Sequence, residues 1–386
     1  MTERAIQPEV LIHLIDKIRP NIRAEHAYLV GLEAHIATKL NQNENPYDWP
    51  SDIKAQLFDS FLTIPWNRYP NDQPVLLQKA IADYVGLSPD QVLVSNGSNE
   101  MMLSIGWVLI GKDTPVVLPT PLFSLYEKIV RLCEGQIISV ACLPDFGFDL
   151  PAIREAIRTN NPVLTVIGAP NNPTGAHVSK EDLLDILEIS SGFVLIDEAY
   201  AEFVGDGRGM QAALAQYPNL LILRTFSKSF ALAGIRIGYL LGHPAVLREI
   251  LKYRIPFMVD HLTERIGVTV LQHADWMREK VREIVSETQR LQQALKEVPG
   301  IIQLLPTEAN FMLFKTNLPA KKVMDAMSEK GILLRNMSGY VELNNFLRVN
   351  AGTPEENDRF LEAIKIVLRE EERWILLRFF CTFSGF

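Results

Sequence analysis

Lys228 stands between two serines in TFSKSF (Thr225–Phe230), which follows the apolar run LLIL and Arg224. A lysine at the end of a buried strand loses water, and a nearby cation lowers its pKa further, so that its neutral amine can form an imine with a carbonyl. Arg236 follows eight positions later, beyond the small pair Ala233 and Gly234, where the chain can fold back and supply that cation. Asp197 ends a second apolar run, FVLI. A carboxylate leaving a buried strand is costly unless it meets a cation or a protonated ring. Thr225, Ser227 and the NGSN loop, with Ser98 and Asn99, offer hydroxyls and backbone N–H groups to a phosphate. Each feature alone has a plain reading, as a solvated lysine, a strand cap or a turn. Together, amine, carboxylate, phosphate cradle and guanidinium describe a site for pyridoxal phosphate, with Lys228 forming the imine and Asp197 on the pyridine nitrogen.

The elements that must carry these groups are short and apolar. The runs at 91–97, 115–119, 136–140, 163–170, 193–199 and 220–228 lack polar alternation, as strands covered on both faces do. Helical patterns fall between them, for example SKEDLLDILEIS from Ser179. The fold class predicted is α/β, a mostly parallel sheet with helices on both faces, followed by a smaller α+β C-terminal domain. The division expected is an N-terminal arm over 1–40, a large cofactor domain over 41–255 and a small domain over 256–386. The arm reads as a helix over Val10–Ile18, stopped by Pro20, and NQNENPYDWPSD as an extended loop. Ligands of such sheets lie beyond the carboxyl ends of the strands, where NGSNE, APNNPTG, DEAY and TFSKSF fall. Strand-like NFMLFK, GILLR and NFLRVN and a helix from Glu355 to Arg369 make up the second domain, and the aromatic tail ERWILLRFFCTFSGF is expected to pack on it.

Composition excludes other classes. With 46 acidic and 38 basic residues the net charge is -8, and no basic cluster offers a surface to nucleic acid or an anionic membrane. Three cysteines without ligand spacing point to a reducing compartment and to no metal site. The start MTERAIQPEV lacks a signal-peptide core, and no apolar run is long enough to cross a membrane, so a soluble, cytoplasmic protein is expected. A nicotinamide dehydrogenase would want G-x-G-x-x-G after its first strand, which does not occur here.

The ordered set LNQNENP, NRYP, NGSNE, APNNPTG, DEAY, SKSFALAGIRIG, GILLR and FLRVNAGTPEEN resembles fold-type I pyridoxal-phosphate aminotransferases, closest to the histidinol-phosphate aminotransferase group. The resemblance implies that Asn172 and Tyr200 bond the ring's phenolic oxygen. It also implies that Ser98, Asn99, Ser227 and Arg236, with Thr225, hold the phosphate, that Phe123 stacks on the ring, and that Tyr69 reaches the cofactor of a second subunit in a homodimer. Arg348 would clamp a substrate carboxylate, with Arg335 and Tyr28 on a second anionic group. The implied substrates are an amino donor and a keto acid, histidinol phosphate and 2-oxoglutarate foremost. Aminotransfer from aromatic or other amino acids and a threonine-phosphate type of decarboxylase remain alternatives, since sequence does not report which bond stands perpendicular to the ring. A non-catalytic, regulatory use of the scaffold is disfavoured by the intact Lys228, Asp197, Asn172, Tyr200 and Arg236. Ala27 departs from the proline frequent at that place in the group, and the tail extends past the group's usual end.

Overall fold

The computed structural model describes residues 8–25, 27, 36–205 and 209–383. Its main sheet has seven strands: β1 Val92–Ser95, β2 Pro115–Thr120, β3 Gln136–Ala141, β4 Leu164–Gly168, β5 Phe193–Asp197, β6 Leu220–Thr225 and β7 Gly238–Gly242. They lie in the order β1-β7-β6-β5-β4-β2-β3, and only β7 runs antiparallel to its neighbours. All residues of β1, β4, β6 and β7 are buried, which is why their sequences carry apolar side chains on both faces. The sheet separates two apolar clusters, one around Ile196, Ile222 and Phe226 and the other around Leu195, Leu221 and Leu223. Alternate residues of one strand thus feed opposite layers, each buried side chain contributing about 1.5–3 kcal/mol. Strand β7 was not among the apolar runs singled out from sequence; GYLLG follows the Arg236 turn and slots between β1 and β6.

Local signals set many helix starts. Ser179 caps the helix Lys180–Ile189 by accepting the Asp182 N–H at 3.0 Å, and Asp260 caps His261–Gln272 through the N–H groups of Leu262 and Thr263. The helix after β1 begins at Gly97, so Ser98 and Asn99 lie in its first turn. The arm helix spans Pro8–Ile15.

A second, antiparallel sheet is built from β8 Ile301–Leu304, β9 Phe311–Thr316, β10 Arg335–Asn336 and β11 Phe346–Asn350, in the order β10-β11-β9-β8. Thr38–Lys39 pairs in parallel with Ile332–Leu333, tying the 36–45 segment to this region. The final helix runs from Pro354 to Phe383, continuing through most of the tail rather than ending at Arg369. No helix among the described residues is long and apolar enough to cross a membrane.

Candidate active site

β1, β2, β4, β5 and β6 all run in one direction, so their carboxyl ends share one edge of the sheet. A cavity of about 990 Å³ opens there and continues toward the second sheet. Its wall includes Ser98, Asn99, Phe123, Asn172, Asp197, Tyr200, Thr225, Ser227, Lys228, Arg236, Arg335 and Arg348, residues drawn from places up to 250 positions apart (348 minus 98). Two of the sequence candidates are not among them. Tyr69 lies outside this cavity, exposed, its ring stacked on Phe257 at 4.8 Å. Tyr28 falls outside the described residues.

Lys228 follows β6 by three positions and donates from Nζ to the carbonyl of Gln42 at 2.8 Å. Burial first, then the Arg348 guanidinium, bring its pKa down to about 7, with Arg236 and Lys39 adding to the fall and Glu44 opposing it. About half of the amine is therefore neutral at pH 7, against well under a hundredth for an ordinary lysine. Asp197 closes β5. Burial raises its pKa, while the Tyr126 hydroxyl, donating to Oδ2 at 2.8 Å, and the Ala199 N–H on Oδ1 at 3.1 Å favour the carboxylate. The aspartate is desolvated and makes no ion pair among the described residues, the Lys228 charge favouring it only from a distance, and a protonated pyridine would supply a direct partner.

The phosphate side of the cavity is shaped by missing side chains. Gly97 sits at φ 72, and a Cβ there would run into the Arg236 guanidinium; one at Gly238 would meet the backbone of Ser98. Arg236 itself adopts φ 64, sparsely populated for a residue with a side chain, and turns Nη1 onto Ser227 Oγ at 3.2 Å. The Ser227 N–H in turn donates to Thr225 Oγ1 at 3.1 Å. Hydroxyls, a guanidinium and the N-terminal turn of a helix converge on one corner, a donor set suited to a phosphate dianion.

On the opposite wall Arg348 donates to Asn172 Oδ1 at 2.8 Å and to the Asn41 carbonyl at 3.0 Å. Because guanidinium only donates, it fixes the Asn172 amide with Nδ2 toward the Tyr200 hydroxyl, 3.4 Å away. Arg335 and Arg348 are direct cross-strand partners in β10 and β11. Two like charges placed opposite each other cost stability, and an anion between them recovers it. Phe123 forms part of the cavity wall while packing on the apolar cluster beneath.

Sequence reasoning passed over several residues at this site. Tyr126, three positions beyond Phe123, meets an aspartate 71 residues away. Asn43, at φ 54, donates to the Tyr200 hydroxyl at 3.0 Å. Its place in NQNENP was the available signal, read only as a loop. No group of three or more potential metal ligands occurs among the described residues.

The model of the family described as Aminotransferase class I and II matches residues 35–364. A histidinol-phosphate aminotransferase of Chlorobaculum tepidum is 40% identical over 335 residues, 87% of this chain and 95% of the relative. Among solved structures, a histidinol-phosphate aminotransferase of Sinorhizobium meliloti in complex with pyridoxal-5'-phosphate superposes with a TM-score of 0.82 at 24% identity, over 92% of this chain and 98% of the other. An L-threonine-O-3-phosphate decarboxylase of Porphyromonas gingivalis shares the fold at a TM-score of 0.77 and 20% identity, over 86% of this chain and 99% of its own.

Proposed function

The chain belongs to the class I and II aminotransferases, and from that premise we propose that it moves the amino group of histidinol phosphate to 2-oxoglutarate, yielding imidazole acetol phosphate and glutamate in histidine biosynthesis. It is a pyridoxal-phosphate-dependent enzyme, and the residues present fit that group: a cradle kept open by Gly97 and Gly238, a buried aspartate without an ion pair among the described residues and a lysine held partly neutral. When bound, pyridoxal phosphate supplies a protonated ring that withdraws electrons from the carbon bearing the amine.

The protein's own groups then divide the work. Asp197 keeps the ring nitrogen protonated, and Asn172 with Tyr200 bonds the phenolic oxygen. Ser98, Asn99, Ser227, Arg236 and Thr225 hold the phosphate, and Phe123 covers the ring face. Lys228 would hold the cofactor's aldehyde carbon, and its Nζ would take and return the substrate's proton; a pKa near neutrality suits both directions. Arg348 clamps the carboxylate of the keto acid, and Arg335 and Tyr28 take the second anionic group.

The single observation that carries this reading is the meeting of Lys228, Asp197, Arg236 and the Arg335–Arg348 pair around one cavity. The test adds L-histidinol phosphate and 2-oxoglutarate to the holoenzyme and follows glutamate. Glutamate formed in step with donor loss supports it; carbon dioxide released from O-phosphothreonine without aminotransfer would give the decarboxylase reading instead.

On the same reading the working unit is a homodimer in the cytoplasm, divided into an arm over 1–40, a large domain over 41–255 and a small domain over 256–386. A run of exposed apolar residues, Phe58, Leu62, Trp66 and Tyr69, supports a covering second copy whose cofactor Tyr69 reaches.

A further inference from the structure

Glu100 lies in the first turn of the Gly97–Leu109 helix, one residue beyond Asn99. Its carboxylate folds back toward the helix start, where Oε2 accepts the Asn96 N–H at 3.3 Å, while Oε1 accepts the Ser104 hydroxyl at 2.7 Å. A carboxylate there suits the helix dipole, but it competes with a bound phosphate for the same positive end. Arg254 meets this carboxylate with two donors, Nε at 3.3 Å from Oε1 and Nη2 at 2.7 Å from Oε2. The Arg254 side chain is 2% exposed and that of Glu100 15%, so water screens the pair poorly. The remaining Nη1 of Arg254 is buried without a hydrogen-bond partner among the described residues. The same segment also holds the loop before the helix, because Asn96 Nδ2 donates to the Met258 carbonyl at 3.0 Å.

We propose that Arg254 is a positioning residue for the cofactor's phosphate: by pairing Glu100 it offsets a negative charge in the first turn of the helix that carries Ser98 and Asn99. This rests on the phosphate lying at Ser98, Asn99, Ser227 and Arg236. A unit charge within about 10 Å, at the effective permittivity of about 20 typical of protein sites, changes binding of an anion by roughly tenfold. Removing Arg254 and removing the charge of Glu100 must therefore act in opposite directions.

The test compares pyridoxal phosphate with pyridoxal, which has the same ring and aldehyde but no phosphate, by measuring dissociation constants on the apoprotein at pH 8. Arg254→Met is expected to weaken pyridoxal phosphate about tenfold and to leave pyridoxal unchanged. Glu100→Gln is expected to tighten pyridoxal phosphate several-fold, again without moving pyridoxal, and the double variant to return near the unaltered protein. Equal losses for both ligands in Arg254→Met, or no tightening in Glu100→Gln, overturn the proposal and leave the pair a structural role only. Should Arg254→Met fail to fold, the Glu100→Gln arm decides alone. If the unaltered protein binds both ligands equally well, the phosphate placement falls and this proposal with it, a result distinct from a clear phosphate preference that neither variant moves.

Discussion

Lys228 must be a better nucleophile at neutral pH than the other lysines, and that can be measured without cofactor. With its pKa brought to about 7 by burial and by Arg348, the neutral fraction is one half at pH 7. By the same titration curve it is about 9% at pH 6 and about 91% at pH 8. Competitive labelling of the apoprotein with acetic anhydride, read by mass spectrometry, compares Lys228 with the exposed Lys79 as an internal reference. From pH 6 to 7 the labelling rate of Lys228 is expected to rise about fivefold, and from pH 7 to 8 less than twofold, before levelling. An ordinary lysine gains about tenfold at each step. Two substitutions test the cause with opposite signs. Arg348→Gln removes a neighbour that disfavours the ammonium, so the midpoint moves up; Glu44→Gln removes one that favours it, so the midpoint moves down. A rate still climbing tenfold per unit through pH 9, or both substitutions moving the midpoint the same way, would refute the electrostatic account.

Lys228→Ala is expected to bind pyridoxal phosphate without a covalent link, shown by loss of the roughly 410–430 nm absorption band, and to lose turnover by several orders of magnitude. Tyr126→Phe deletes the hydroxyl that favours the Asp197 carboxylate, so the aspartate's pKa rises further above the usual range. Its ionised form is then lost at a higher pH as pH falls, moving the acid limb of the rate profile upward and lowering turnover about tenfold. Arg348→Lys keeps the charge but loses the two-donor fork, and should raise KM for 2-oxoglutarate at least tenfold with a smaller change in kcat. Tyr69→Ala, assayed across a dilution series with sedimentation alongside, should weaken retention of pyridoxal phosphate in the assembled enzyme; a monomer fully active at low concentration would remove Tyr69 from the site.

What was legible in the sequence is what local chemistry determines. VLTVIG, FVLID and LLILRT announce buried parallel strands because both of their faces are covered and most positions on each are apolar, Arg224 being a charged exception that pairs with Glu198. The polar residues that follow them mark the sheet edge where ligands bind. The start of the Gly97–Leu109 helix is hard to read locally for a physical reason. Its N-cap residue, Asn96, makes no side-chain bond to the helix and spends its amide on Met258, 162 positions away, so the start carries no local capping signal. Tyr126 and Arg254 were missed likewise, since their partners Asp197 and Glu100 are distant in the chain. Strand β8 lies at the edge of its sheet and is only partly buried, with Ile302 exposed.

Charge balance explains why these long-range contacts fall where they do. Lys128, Arg131, Arg236, Arg335 and Arg348 line the same cavity as Lys228, against Glu44, Glu127, Asp197 and Glu342. Such an excess of positive charge is unfavourable in a desolvated site until anions arrive, and both the cofactor and the substrates bring them. Since the Arg348 charge is among the causes holding the lysine amine down, an anion bound at that arginine offsets it and lets Lys228 hold a proton more firmly. With Arg348 as the proposed carboxylate clamp, substrate recognition and the lysine's basicity would share one electrostatic cause. Arg348 and Lys228 are also joined through adjacent carbonyls of one segment, Asn41 accepting from the arginine and Gln42 from the lysine. The NQNENP stretch, read in sequence as a loop, is thus the backbone on which both cations are seated.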